Sequence, residues 1–451
     1  MDLDKHGFDV KARSPWTPLT DVKTVVVSPS EKRINGSVMI PGSKSLTNRA
    51  LIMAALANGK TKVSGILKSD DSYWCIDTLK KLGIKIEIQN DRAYIEGKGG
   101  EWDSSHLYIG AAGTIARFLP GALAVSSKGT WEIEASESMS KRPISPLIDA
   151  LQELDADISY LSEQGYYPLS IKGKELAGGH VNLSGKISSQ FISGVLIPSP
   201  YAKESITVNI KDYIVQHAYV FLTLQLMEKF GANVEYDNNL EKIVIHPSHY
   251  IPQDIELEAD ASTACYFLAL AALTNGTIRI ENLTYETKQP DIKMVDVLER
   301  MGCKVTKGSS FIELTGVPQL KGGFEISMRE MSDQTLTLAA IAPFADGPIT
   351  IKDVEHIRHH ESNRIRVICE SLTKLGIKVE EFKDGLKVYP GNPKPTLLHT
   401  HDDHRVAMSL ALIGSKVEGI RINDPGCVSK TCPAYFGMLE DLGLNICRIK
   451  H

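Results

Sequence analysis

The chain of 451 residues has no apolar run long enough to span a bilayer, and no secretory signal pattern begins it. Cysteine is sparse: seven residues, at 75, 265, 303, 369, 427, 432 and 447, an odd number with no CxxC spacing. That argues against a disulfide framework and for a reducing compartment, so a cytoplasmic protein is expected. Positive charge is not in excess either. Fifty Lys and Arg against 55 Asp and Glu leave −5 at neutral pH, which argues against a general nucleic-acid or membrane-surface binder. What remains is an ordinary globular composition, 42% hydrophobic and 23% charged, in a chain large enough for two domains. Residues 1–24 are polar and aperiodic and read as a loose extension.

Against that acidic background, basic residues gather at helix starts. The run Pro41-Gly42-Ser43-Lys44-Ser45-Leu46-Thr47-Asn48-Arg49 reads as an extended segment, a turn, a Ser cap and an amphipathic helix. Lys44 and Arg49 then sit at the positive end of the helix dipole, where a cation is disfavoured and an anion favoured. Free N–H groups, two hydroxyls and two cations make that end an anion receptor. Taken alone it reads equally well as a solvated helix start. The pattern recurs, however, at Gly113-Thr114 through Arg117, at Lys141-Arg142-Pro143, at His359-His360-Glu361-Ser362-Asn363-Arg364, at Asp402-Asp403-His404-Arg405 and at Lys430-Thr431-Cys432-Pro433. Six such starts point to small molecules carrying several negative charges.

A longer phrase repeats six times: an amphipathic helix ending in Leu-Gly or similar, followed by a β-branched strand. Gly83, Gly231, Gly302, Gly376 and Gly443, with Asp155 standing in once, recur at intervals of 67 to 76 residues. A left-handed conformation at that helix end suits Gly, and Asp tolerably. Each repeat also has a nearly apolar first helix, beginning near Ser45, Thr114, Ser189, Asp260, Asp333 and Asp403. A helix apolar all round is buried. The expected class is therefore α/β: six units of strand, buried helix, strand, surface helix and a strand pair, grouped in two three-unit domains.

These residues together resemble the enolpyruvyl transferase family, most closely its shikimate-3-phosphate branch. PGSKSLTNRAL, GAAGT-x-x-R, KRPI, SSQF, DAS, SDQ, R-x-x-ESNRI, DDHR-x-AM and K-T-x-P-x-YF occur in the family's order, from about Val26 to the C-terminus. The resemblance implies two globular domains, each of three βαβαββ units, with crossings near Met39–Lys44 and Leu257–Asp260. The domains expected are 42–258, bearing most residues for shikimate 3-phosphate, and 25–41 plus 259–451, bearing those for phosphoenolpyruvate and the acid/base groups. The implied reaction moves the enolpyruvyl group of phosphoenolpyruvate to the 5-hydroxyl of shikimate 3-phosphate and releases phosphate, in chorismate biosynthesis. No metal or organic cofactor is required, no nucleic-acid or membrane partner is implied, and a monomer that closes on its substrates is expected.

By the same resemblance, Lys44, Ser45, Arg49, Ser188, Ser189, Gln190 and Tyr219 bind shikimate 3-phosphate, and Lys44 also reaches phosphoenolpyruvate. Gly113 and Thr114 let the backbone approach phosphoenolpyruvate, while Arg142, Arg364, Arg405 and Lys430 clamp its carboxylate and phosphate. Arg117 either joins them or braces the loop. Asp333 contacts the 5-hydroxyl and acts as base; Glu361 gives and takes the proton at C3. The plain alternative for both carboxylates is a helix cap. Several positions depart from the family pattern: Ala111 for Asn, Phe118 for Pro, Gln216 for Ser, His356 for Asn, and His360, among the substrate-binding positions, for Lys. A neutral His360 weakens anion binding unless the ligand raises its pKa.

Three other readings use the same residues. His401-x-x-His404 with Asp402 and Asp403 has metal-ligand spacing, though an adjacent Arg405 is awkward beside a dication. An acceptor of the UDP-N-acetylglucosamine type calls for a Cys between Gly110 and Arg142, where this chain has none. A ligand-binding protein without catalysis is opposed by Asp333 and Glu361.

Overall fold

The computed structural model describes residues 10–451. Among them are six four-stranded sheets, each with the same wiring: one parallel pair followed by two antiparallel pairs. In the first sheet Asn58–Ser64 runs parallel to Asp254–Glu256 and antiparallel to Arg92–Lys98, which pairs in turn with Lys85–Gln89. The register sets Ile86 opposite Ile95 and turns both inward. This is the α/β repeat that the Leu-Gly phrase predicts.

The helix-end positions behave as their chemistry requires. Gly83, Gly231, Gly302, Gly376 and Gly443 all have positive φ, between 84° and 103°, and Asp155 takes 73°. Each ends a surface helix and turns the chain into a strand. The paired buried helices are Lys44–Leu56, Gly113–Ala124, Ser189–Leu196, Ala261–Thr274, Thr335–Ile341 and His404–Ala411. In Ala261–Thr274 every residue but the last is buried, so no face needs polar side chains.

The chain divides into two compact units. One takes in Gly42–Leu257 together with residues 10–14; the other is Pro15–Pro41 with Glu258–His451. Three strands account for the discontinuity. Asn35–Val38 pairs with Thr277–Ile280, and Val22–Ser28 lies between Ile420–Asn423 and Asn445–Lys450. Asp254–Glu256 returns to complete the first sheet.

From Ala12 onward the stretch expected to be loose is packed. Trp74 Nε1 donates to Ala12 O at 2.8 Å, Ser14 N donates to Asp70 Oδ1 at 2.9 Å, and Thr17 Oγ1 meets Ser429 Oγ at 3.3 Å. The expectation failed because backbone groups make most of these bonds, and hydropathy does not register them. Strand Val22–Ser28 then begins inside the same stretch. The extension's residues 1–9 lie outside the described residues.

Candidate active site

In the first unit two of the expected site residues, Ser45 and Tyr219, stand against a buried cation, Arg49. Helix Lys44–Leu56 is capped by Ser43, whose hydroxyl accepts from Leu46 N. Lys44 Nζ stands 3.6 Å from Asp71 Oδ2. One turn on, Arg49 is 1% exposed. Its Nε donates to Thr223 Oγ1 at 2.8 Å, Nη2 to Ser193 Oγ at 3.3 Å and Nη1 to Ser45 O at 3.1 Å. The guanidinium lies 4.9 Å from the Phe118 ring centroid and 5.7 Å from that of Tyr219. No carboxylate among the described residues pairs with it. Burial therefore pushes it down to about 10, still a cation at neutral pH.

Beside it, helix Gly113–Ala124 starts without a side-chain cap, leaving backbone N–H groups for a ligand. A Cβ on Gly113 would come within 3.0 Å of Arg142 Nη1, so the bare backbone lets that guanidinium lie against the helix start. The Thr114 hydroxyl accepts from Asn48 Nδ2 at 2.5 Å and locks two buried helices together. Arg117 braces the loop, donating to Gly113 O at 3.2 Å. Ser188 caps Ser189–Leu196, its hydroxyl accepting from Gln190 N at 3.1 Å. Ser189 is buried and Gln190 half-buried behind it. Gln216, at φ 49°, is buried, and its Nε2 has no hydrogen-bond partner among the described residues.

In the second unit the organising group is Arg364, 1% exposed, at the start of helix Arg364–Lys374. Its Nε and Nη2 donate to the two oxygens of Asp403, at 2.8 and 3.2 Å. Nη2 also donates to Glu361 Oε2 at 2.9 Å, and Nη1 to Asp333 Oδ1 at 2.8 Å and to His360 Nδ1 at 3.1 Å. All five N–H donors of the fork are thus engaged. Arg405 Nη2 lies 3.0 Å from Asp333 Oδ2, and Lys430 Nζ 3.4 Å from Glu361 Oε1. Burial opposes the charge on Asp333, but Arg405 and Arg364 outweigh it and hold the carboxyl well below the usual range. Neither carboxylate is a helix cap: Asn363 caps Arg364–Lys374, and Asp333 lies in the 3-10 segment Arg329–Gln334 ahead of Thr335–Ile341.

His360 is neutral. Burial lowers its pKa first, the Arg364 charge adds to this, and Nδ1 accepts from Arg364, so the ring proton sits on Nε2. His356 is pushed down to about 4 by burial and lies 2.8 Å through Nε2 from Ser332 Oγ. His404 is buried whereas His401 is exposed, and no three His, Cys, Asp or Glu side chains are grouped as metal ligands among the described residues.

Sequence reading brought these residues forward but missed their supports. Asp403 enters the sequence reading as a helix start and a candidate metal ligand, yet it holds Arg364 by both oxygens and caps His404–Ala411. Its signal was an Asp immediately before a buried helix. Thr223 and Ser193, which grip Arg49, carry no signal distinguishable from ordinary buried hydroxyls.

Comparison with known proteins agrees with this chemistry. A family profile described as EPSP synthase (3-phosphoshikimate 1-carboxyvinyltransferase) matches residues 29–439. A Halalkalibacterium halodurans protein named 3-phosphoshikimate 1-carboxyvinyltransferase 2 is 68% identical over 441 residues, spanning 97% of this chain and 99% of that one. The chloroplastic 3-phosphoshikimate 1-carboxyvinyltransferase of Arabidopsis thaliana is 38% identical, spanning 96% and 86%. A solved EPSP synthase from Acinetobacter baumannii superposes with a TM-score of 0.80 at 25% identity, over 94% of this chain and all of that one.

Proposed function

The chain belongs to the EPSP synthase family and catalyses enolpyruvyl transfer from phosphoenolpyruvate to shikimate 3-phosphate in the shikimate pathway; on that premise we propose which of its residues carry the reaction. The observation that bears most on the assignment is the pair of carboxylates, Asp333 and Glu361, tied to one guanidinium.

The transfer forms a bond between the 5-oxygen and C2 while C3 gains a proton. The tetrahedral intermediate then loses that C3 proton as the C2–O bond to phosphate breaks. Glu361, held as a carboxylate by Lys430 and Arg364 in the free protein, takes up a proton as phosphoenolpyruvate draws those cations off its oxygens, gives it to C3 and later takes one back from C3. Asp333 receives the 5-hydroxyl proton. In the free protein it is held too acidic for that task. Phosphoenolpyruvate supplies the remedy. Its carboxylate and phosphate compete for Arg364, Arg405 and Lys430, and each bond they take from Asp333 raises its proton affinity. Arg364 is fully engaged beforehand, so its share in binding substrate requires exchange of one existing bond. The same cations, with Lys44, offset charge on the intermediate. Neutral His360 contributes an Nε2–H donor to the substrate.

Shikimate 3-phosphate is assigned to Lys44, Ser45, Arg49, Ser188, Ser189, Gln190 and Tyr219. A buried cation with no carboxylate partner and an unpartnered Gln216 amide together call for an anionic, oxygen-rich ligand. Gly113, Thr114 and Arg142 are assigned to phosphoenolpyruvate. Free cysteines, six of them buried, support a cytoplasmic setting, and a monomer is proposed, to be checked by solution mass.

The test is phosphate release from phosphoenolpyruvate, with and without shikimate 3-phosphate, in the wild type and in Glu361→Ala. Release requiring both substrates and lost in the variant is the expected result. Release unaffected by Glu361→Ala removes that residue from the proton transfer. No release by the wild type, with shikimate 3-phosphate still raising Tm, leaves a binding protein.

A further inference from the structure

A second buried carboxyl stands behind Asp333. Asp291 is 0% exposed, on the short 3-10 turn Pro290–Lys293. Its Oδ2 accepts from Gln334 Nε2 at 2.9 Å and makes a short bond with the Ser262 hydroxyl. Its Oδ1 is buried with no hydrogen-bond partner, and no Lys, Arg or His pairs with it among the described residues. Gln334 is the residue directly after Asp333. The backbone just before it departs from helical geometry at Met331, so the helix does not dictate where this segment lies. What locates it are side chains: Arg364 and Arg405 on Asp333, His356 on Ser332, Asp291 on Gln334, and Thr337 Oγ1 donating to Gln334 Oε1 at 2.9 Å.

Nothing in the reaction requires a carboxyl at position 291, and an ionised one with a bare oxygen in a dry site is costly. The neutral acid fits the same bonds, because the Ser262 hydroxyl can accept as well as donate. We propose that Asp291 is a positioning residue for Asp333, holding Gln334 as a neutral acid and, on ionising, pressing a second negative charge against the Asp333–Arg405 pair. This rests on the assignment of Asp333 as the base.

The surroundings agree. Burial, then the Asp333 charge, push Asp291 up to about 6, with Arg405 opposing. Facing it from Ala261–Thr274 is Cys265, whose thiol donates to Asp291 O at 3.2 Å and is kept neutral by burial. The following helix Met294–Arg300 turns Met294 and Val295 inward and its charged residues to solvent. Ionisation of Asp291 therefore acts chiefly on Asp333 and Arg405, raising the proton affinity of the first.

The experiment is steady-state phosphate release from about pH 5 to 8.5 in the wild type, Asp291→Asn and Asp291→Ala, near and above the ordinary carboxyl range. Asparagine keeps the acceptor for Gln334 but cannot ionise, so the kcat/KM profile, which reports the free protein, should lose an inflection near pH 6. Alanine removes the Asp291 bond and leaves Gln334 to Thr337 and, at 3.4 Å, to Ser262 O, and kcat should fall roughly tenfold or more, as for a displaced catalytic group. Both variants matching the wild type in kcat and profile would overturn the proposal while leaving the functional reading intact. So would an alanine loss matched by loss of folded protein together with an unchanged asparagine profile. No turnover by the wild type sinks the functional reading first, and this one with it.

Discussion

Asp403 grips Arg364 through both carboxylate oxygens, at 2.8 and 3.2 Å, and the two side chains are respectively 0% and 1% exposed. The grip aims the remaining N–H groups of Arg364 at Asp333, Glu361 and His360. Asp403→Ala should therefore leave the buried Nε of Arg364 without an acceptor, while Asp333 and Glu361 still offset its charge, costing about 1–3 kcal/mol of stability. Urea unfolding measures that directly. Asp403→Asn keeps shape and loses charge, and its kcat should fall more than its stability.

Arg49 predicts the opposite balance. A buried cation without a carboxylate is a cost to the free protein. Arg49→Met should leave the ligand-free Tm unchanged or higher and abolish the rise that shikimate 3-phosphate produces. For the wild type that rise corresponds to about 2.7 kcal/mol at a hundred times Kd. A Tm shift retained in Arg49→Met would remove Arg49 from the binding set.

Gly113→Ala places a methyl against Arg142 Nη1. The guanidinium is the far end of a flexible side chain, so it should move rather than the helix unfold. KM for phosphoenolpyruvate should rise several-fold, with stability changing by less than about 1 kcal/mol.

The pH dependence of stability follows from His356. Burial lowers its pKa in the folded protein to about 4, from an ordinary value near 6.5 when unfolded. The neutral ring is thus the folded form. Its stabilising contribution is complete above about pH 6.5 and is lost as pH falls towards 4. Asp333, whose pKa is depressed, loses its contribution at lower pH still; Asp291, whose pKa is raised, works the other way between about 4 and 6. In His356→Asn the fall in Tm between pH 7 and 5 should be shallower than in the wild type. An identical slope in both would show that protonation of His356 does not drive the acid loss.

Features with local causes were legible. The positive-φ helix ends at Gly83, Asp155 and their counterparts, and the fully apolar Ala261–Thr274, follow from chain chirality and hydropathy alone. Features made by distant partners were not. Nothing near Asp333 indicates that it precedes its helix instead of capping it, because Arg364 and Arg405 decide its place from 31 and 72 residues away in sequence. Lys44 and Arg49 read alike as helix-start cations, yet one lies beside Asp71 and the other is sealed between two aromatic rings. A hydroxyl such as Thr223 becomes recognisable only once the guanidinium beside it is seen.

The strands that return from far along the chain set a timetable for synthesis. Once Asp254–Glu256 has emerged, the unit holding Gly42–Leu257 has all three of its sheets. Val22–Ser28 must wait for Asn445–Lys450, made more than 400 residues later. Until Ile420–Asn423 and then Asn445–Lys450 have emerged, that strand's two edges stay unpaired and its Val-rich run is open to mispairing.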